Sequence, residues 1–307
     1  MSASLGLTMN RQPPVLPAAA HASHVSVPMR VLRQLVRQPA PLAALIYLGV
    51  LFALAVVVWI SHPLHPNVQD LAHRLAGPSA QHLLGTDNLG RDIVARIVNA
   101  AGVSVLALLE GVGIAAVLGI VPGLLAGYAG GLWNAVFSRI ADLLIVFPGL
   151  ILALAIVGIL GPSLTNAMIA IGVLNAPRLF RVVRAAAIDV RDTAYVDAAR
   201  TMGASSSRII RDHIAPNVTG VLVVQLALVA AQVLLAEAGL SYLGLGVQQP
   251  EASWGSMIRD AQPYLTTNPW LMVIPGVVIM LTVTAFNFTA DGISRALRSS
   301  VEVEAST

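Results

Sequence analysis

The stretch Leu42-Ala-Ala-Leu-Ile-Tyr-Leu-Gly-Val-Leu-Phe-Ala-Leu-Ala-Val-Val-Val-Trp-Ile60 contains no charged side chain. A helix needs about 20 mostly apolar residues to cross the hydrocarbon core of a bilayer, so this run is long enough to span it. Five similar runs follow: Val103 to Tyr128, Ile140 to Leu160, Ser163 to Arg178, Val218 to Leu240, and Trp270 to Phe288. The sequence therefore predicts an all-α integral membrane protein with about six transmembrane helices.

The composition supports this class. Apolar residues make up 56% of the chain and charged residues 11%, whereas soluble domains carry about 25% charged residues. The absence of Cys excludes disulfides and thiolate chemistry. All 18 basic residues are Arg, so the chain cannot carry a P-loop, which requires a Lys. If ATP drives the function, another polypeptide hydrolyses it.

The distribution of Arg predicts the orientation, because short translocated loops avoid basic residues. With both termini in the cytoplasm, only Arg74, Arg91, Arg96 and Arg259 of the 18 lie on the outer side. The opposite orientation would translocate all the others. We therefore expect both termini to be cytoplasmic.

This orientation divides the chain into four parts. Residues 1–38 are predicted to form a cytoplasmic N-terminal tail, and 39–100 the first helix with an extracytoplasmic segment. Residues 101–293 would form a core of five transmembrane helices with a cytoplasmic loop at 186–217, and 294–307 a cytoplasmic tail. The first 28 residues lack the continuous apolar segment expected of a cleaved signal peptide.

Glycines are dense in the second apolar run. The five are Gly111, Gly113, Gly119, Gly123 and Gly127. Residues without a side chain let helix backbones approach closely in membranes. The pattern predicts tight packing of this helix against a neighbour.

The longest cytoplasmic loop begins with a predicted helix from Thr193 to Met202. Asp192 is a suitable N-cap residue, because its carboxylate can accept hydrogen bonds from the first turn. Gly203 is a suitable C-cap, because glycine adopts the left-handed conformation at little cost.

A second short helix is predicted beyond Gly203. Ser205 or Ser206 would cap it, it would run through His213, and Pro216 would break it before the next span. The prediction is an elbow of two short helices on the membrane surface, bent at Gly203.

The first of these helices allows two interpretations. Ala198 and Ala199 offer a small surface, and Tyr195 and Met202 add larger apolar contacts, which suits insertion into a groove of a partner. Alternatively, an amphipathic helix with Arg residues rests on lipid headgroups. The residue pattern alone leaves both open.

The same loop resembles a known signature. Asp197-Ala198-Ala199, followed by Gly203, His213 and Pro216, is similar to the EAA-type motif of bacterial ABC importer permeases. The resemblance implies that Tyr195, Asp197, Ala198, Ala199, Met202 and Gly203 form a coupling contact with an ATPase. It also implies that His213 and Pro216 fix the return of the chain into the next span.

Two further stretches resemble the dipeptide, oligopeptide and nickel permeases of that family. They are His82 to Asp92 and Leu240 to Pro250, the latter followed by Ser253-Trp254-Gly255 and Pro269-Trp270. The order of segments is similar to the second permease subunit of such systems. The resemblance implies a type I importer fold in the bacterial inner membrane, working by alternating access on peptides or a similar small solute.

The resemblance also implies the partners. They are a second homologous permease subunit, one or two P-loop ATPases that bind ATP and Mg, an extracytoplasmic solute-binding protein, and membrane lipid. It implies no cofactor in this chain, no nucleic acid and no catalysis by the chain itself.

Three alternative functions depend on single features. A proton-coupled secondary transporter would use Glu110 and Glu237, because acids within spans are costly and often functional. A rhomboid-like protease would use Ser241 in Gly239-Leu-Ser-Tyr242, but no His lies within a predicted span to act as its base. Metal binding would use the pairs His21/His24 or His62/His65, which lack further nearby ligands.

Overall fold

The computed structural model describes residues 35–61 and 64–305, and helices dominate this part of the chain. We number the α-helices in chain order: α1 (Pro39–Ser61), α2 (Ile93–Ala129), α3 (Gly131–Val146), α4 (Gly149–Leu160), α5 (Leu164–Arg191), α6 (Ala194–Thr201), α7 (Ser206–Ile209), α8 (Ala215–Tyr242), α9 (Trp254–Ala261) and α10 (Trp270–Ala305). Within the described residues the extended pairing is a single bridge between Thr86 and Asp92. The predicted all-α class is confirmed.

The helices long and apolar enough to cross a membrane match most of the predicted runs. The described residues contain four such helices: α1, α2, α10 and the continuous stretch Ser206–Tyr242. The pair α3 and α4 is a fifth if the two are counted as one broken span. The predicted fourth span is α5, which is long enough but carries Arg residues in its second half. The predicted count of six is therefore approximate.

The third predicted span is not a straight helix. The axes of α3 and α4 meet at 95°, and Pro148 stands at the break as the N-cap of α4. A proline disfavours helical geometry in the preceding residue, and Phe147 is extended with φ −75° and ψ 135°. This bend opens a concave surface on one side of the bundle.

The fourth predicted span also extends further than expected. The predicted run ends at Arg178, but Arg181 and Arg184 also lie on α5, which runs without a break to Arg191. The helix continues because one of its faces stays apolar and buried beyond Arg178, through Leu179, Phe180 and Val183.

The predicted close packing of the second helix is confirmed at four of the five glycines. A Cβ built on Gly127 would lie 2.6 Å from the Ala187 Cβ of α5, which is too close for two carbon atoms. Gly111, Gly119 and Gly123 are equally tight. Gly113 differs, because it has nothing within 4 Å. Helices α2 and α5 thus form the closest pair in the bundle.

The remaining helices pack around this pair. Helix α8 contacts α5, α2 and α10, and α1 covers the outer side of α2 and α10. A second, smaller cluster of buried residues lies beneath α6, formed by Leu179, Val183, Ala187, Val196, Ala199, Ile209, Ile214 and Val218. This cluster fixes α6 to the ends of α5 and α8.

The predicted N-terminal and C-terminal tails can be compared with the structure only in part. The predicted tail at 1–38 lies outside the described residues except for 35–38, as do His21, His24 and His62. Helix α10 continues through 294–305 without a break, so the last helix does not end where the C-terminal tail was predicted to begin.

Candidate functional site

The predicted N-cap of α6 is wrong. Asp192 is instead the C-cap of α5, and its backbone N–H donates to the carbonyls of Ile188 and Val190. Helix α5 is longer than the sequence pattern suggested, so Asp192 belongs to its end, and Thr193 takes the N-cap position of α6. The Asp192 carboxylate accepts a 2.7 Å hydrogen bond from the Arg191 Nε, which holds the pKa of Asp192 below its usual range.

Helix α6 presents two different faces. Val196 and Ala199 are 0% and 3% exposed and pack into the cluster beneath the helix. Tyr195 and Met202 are 46% and 82% exposed, and Ala198 lies on the same open side. Ala199 therefore anchors α6 to its own chain, and the surface open to a partner consists of the exposed residues.

The bend after α6 occurs at Gly203, as predicted. Gly203 has φ +81°, a conformation that side chains with a Cβ disfavour. Its N–H donates to the Arg200 carbonyl at 2.9 Å, and the Ala204 N–H donates to the Ala199 carbonyl at 3.1 Å. These two bonds define a Schellman motif, which satisfies the last carbonyls of α6.

The predicted helix break at Pro216 is wrong. Helix α7, the turn Ile210–Ile214 and α8 form one continuous helix. The turn has π-helical hydrogen bonding, and the Ala215 N–H reaches back five residues to the Ile210 carbonyl. A proline inside a helix would normally clash with the carbonyl four residues earlier, and the wider π-helical turn that precedes Pro216 makes room for its ring. The elbow therefore joins one short helix to one long helix.

Two ring contacts connect α6 to its neighbours. The Arg200 guanidinium lies over the Tyr128 ring at the end of α2, 5.2 Å from its centroid, a cation–π geometry. Arg200 also donates to the Asp197 carboxylate at 3.0 Å. The rings of Tyr195 and His213 lie 6.1 Å apart. The sequence analysis missed Arg200 and Tyr128, because their contact joins positions distant in the chain.

A second surface lies where α3 and α4 bend. A cleft of about 690 Å³ is bounded by this bend, α5 and α8. Asn175, Arg178 and Gln232 are its polar residues, and the Arg178 Nη1 donates to the Gln232 Oε1 at 2.8 Å. The sequence analysis had assigned no residue to a transport path. The signal it missed is an Arg in the middle of a helix with a buried apolar face.

Glu110, Glu237 and Ser241, the residues on which the proton-coupled and protease alternatives depend, form hydrogen bonds within the helix bundle. The Glu110 Oε1 accepts a 3.3 Å hydrogen bond from the Thr165 hydroxyl across the α2–α5 contact. Glu237 is 1% exposed and accepts a 2.7 Å bond from the Ser241 hydroxyl. Among the described residues neither acid has a basic partner within salt-bridge distance. No group of three metal-ligating side chains occurs in the described part of the chain.

The outer stretches that carried the family resemblance form one compact unit. The Asp87 carboxylate pairs with the buried Arg91 at 2.6 Å and lies 3.5 Å from the Arg96 Nε. Trp254 at the start of α9 is 1% exposed, and its ring N–H donates to the Ile97 carbonyl at 3.2 Å. The outer loop and α9 are thus fastened to the beginning of α2.

These features define a helical membrane protein with a short exposed helix that suits docking to a partner. A family model, the binding-protein-dependent transport system inner membrane component, matches residues 119–303. The chain belongs to this family, whose members are permeases of ABC importers.

Individual relatives and a solved structure agree with this membership. The chain is 43% identical to the dipeptide transport system permease protein DppC of Alkalihalophilus pseudofirmus, over 74% of each chain. It is 40% identical to the nickel transport system permease protein NikC of Escherichia coli, over 81% of this chain and 89% of the relative. A chain of the inward-facing MetNI methionine ABC transporter has the same fold, with a TM-score of 0.53 at 21% identity, over 63% of this chain and 92% of that one.

Proposed function

We propose that this permease imports dipeptides or similar short peptides and forms half of a translocation pathway. The relatives named for dipeptide transport, at 43% and 42% identity, support peptides as the substrate class. A second homologous permease would supply the other half, and a solute-binding protein would deliver the peptide. The observation that carries the proposal is the exposed face of α6, which suits insertion into an ATPase.

The contact with the ATPase uses this exposed face. Tyr195, Ala198 and Met202 would enter a groove of the partner, with Asp197 beside them. Ala199 does not reach the partner and instead holds α6 against the bundle, while Gly203 sets the angle of α6. His213 packs behind Tyr195, and Pro216 begins the helix that receives the movement.

Movement of α6 would pass to the bundle through three physical connections. The first is the buried cluster shared with α5 and α8, and the second is the Arg200–Tyr128 contact with α2. The third is the continuous helix from Ser206 to Tyr242, which runs from the elbow to the far end of the bundle. ATP and Mg bind to the partner, and this chain performs no catalysis. Both termini lie in the cytoplasm.

The test is whether the ATPase co-purifies with a permease altered on this face. Ala198→Trp adds a large side chain to the exposed side of α6, so the fold should tolerate it while docking is blocked. We expect ATPase recovery with the solubilised complex to fall about tenfold, since overpacking a close contact costs about 1–3 kcal/mol and about 1.4 kcal/mol is a factor of ten in binding. Ala80→Trp is the control, because Ala80 is an exposed alanine in the outer segment.

Undiminished co-purification with Ala198→Trp would contradict the docking assignment. That result would favour the alternative in which α6 rests on lipid headgroups, where an added Trp strengthens membrane attachment.

A further inference from the structure

The cleft beside the α3–α4 bend contains a single charged group. Among its described lining residues Arg178 is the only one that is ionised at neutral pH. Arg178 lies on the exposed side of α5, fourteen positions after Leu164 and thirteen before Arg191. At 1.5 Å per residue this is about 21 Å along the helix, near its middle. A single charged side chain in an otherwise mostly apolar cleft is the kind of group that orients a bound ligand.

On the same helix Arg181 and Arg191 are neutralised by carboxylates, while Arg184 donates to the Asn134 amide oxygen away from the cleft lining. The Arg181 Nη2 donates to the Asp142 carboxylate at 2.6 Å, and Arg191 pairs with Asp192 at 2.7 Å. Arg178 instead has an amide partner, the Gln232 Oε1, which orients the guanidinium without cancelling its charge. Its positive charge is therefore available to a ligand in the cleft.

The geometry of the guanidinium indicates which ligand fits. The bond to Gln232 uses Nη1, and within the described residues Nε and Nη2 have no hydrogen-bond partner in the structure. These two groups form one edge of the planar guanidinium, which matches the two oxygens of a carboxylate. The same cleft is also lined by Leu174, Leu235 and Ala236, which can accommodate an apolar side chain.

We propose that Arg178 binds the carboxylate of the transported peptide as it passes through the cleft, with Gln232 as the positioning residue. The inference rests on the proposed function, and it names the group of the substrate that this permease recognises. Every linear peptide with a free C-terminus carries this carboxylate whatever its side chains, so such a contact permits a broad range of peptides. It holds the peptide by one end and leaves the rest of the 690 Å³ cleft for variable side chains.

The test uses the complete transporter in proteoliposomes, with the binding protein saturated by either dialanine or its C-terminal amide. Arg178→Gln should lower the uptake of dialanine by about tenfold, as expected for a lost charged hydrogen bond, and change the uptake of the amide less than twofold. Arg178→Lys keeps the charge without the planar edge and should recover part of the uptake. Arg181→Gln, one turn further along α5, is the matched control and should leave the ratio of the two substrates unchanged.

A second variant tests the same contact without removing the Arg. Gln232→Glu places a carboxylate beside Arg178, so it should occupy the guanidinium and reproduce the selective loss of dialanine uptake. Equal effects of Arg178→Gln on both substrates, or no effect on either, would overturn the inference. If the wild-type complex imports no dialanine, the proposed peptide transport fails, and this inference fails with it.

Discussion

At the scale of single residues, Gly203 is required at the bend after α6 by its backbone conformation. Its φ of +81° is left-handed, and a Cβ placed on it would meet nothing within 4 Å. The requirement is thus one of backbone conformation and not of space. This is why the sequence could identify the position: a glycine after a helical stretch predicts a left-handed C-cap independently of tertiary contacts.

We predict that Gly203→Val uncouples ATP hydrolysis from uptake. A β-branched residue at this φ costs about 1–3 kcal/mol, so α6 would tilt or its last turn would unwind. Reconstituted transporter should hydrolyse ATP while peptide uptake falls several-fold. Gly203→Asn is the control, since asparagine tolerates the left-handed region. Normal uptake by the valine variant would contradict the role of this bend.

At the scale of elements, the α2–α5 pair depends on glycines that allow backbone contact. Gly127 approaches Ala187 and the Arg184 carbonyl, whereas Gly113 is exposed with no neighbour within 4 Å. We predict that Gly127→Leu lowers the stability of the complex by about 1–3 kcal/mol, the usual cost of overpacking. Gly113→Leu should have little effect. The melting temperatures of the two variants in detergent would be compared, and equal shifts would contradict the packing argument.

The element scale also shows where sequence reasoning succeeded and where it failed. The apolar runs located the long helices, because the hydrophobic length needed to cross a bilayer is a local property. Asp192 was misassigned, because its preference for N-cap positions does not determine where α5 ends, and the length of α5 is set by burial. Pro216 was expected to end a helix, but the π-helical turn at Ile210–Ile214 accommodates it. Neither outcome can be inferred from residue type.

In the candidate site, too, some residues could be identified from the sequence and others only from the structure. The loop residues Tyr195, Ala198 and Met202 were identified from their pattern, and the structure leaves them exposed. Ala199 is the same residue type as Ala198, so the sequence does not distinguish them. In the structure Ala199 faces inward, because successive side chains point about 100° apart around a helix. The pairing of Arg178 with Gln232 joins residues 54 positions apart, so only the folded chain brings them together.

At the scale of the whole molecule, one chain combines an exposed short helix, a long continuous helix and a polar cleft. The exposed helix is fastened to the bundle by a buried cluster, and the cleft opens at the 95° bend of α3 and α4. In an alternating-access mechanism, a displacement of α6 would change the accessibility of the cleft. The chain lacks the Lys of a P-loop, and under the proposed function an ATPase partner would supply the energy for this displacement.

The most direct test of this account is peptide uptake by the complex in proteoliposomes, measured with and without the ATPase subunits. The account predicts uptake that requires the ATPase, ATP and the binding protein together, and that Glu110→Gln leaves largely unchanged. Uptake that persists without the ATPase, follows a proton gradient and is abolished by Glu110→Gln would contradict it and indicate a proton-coupled transporter.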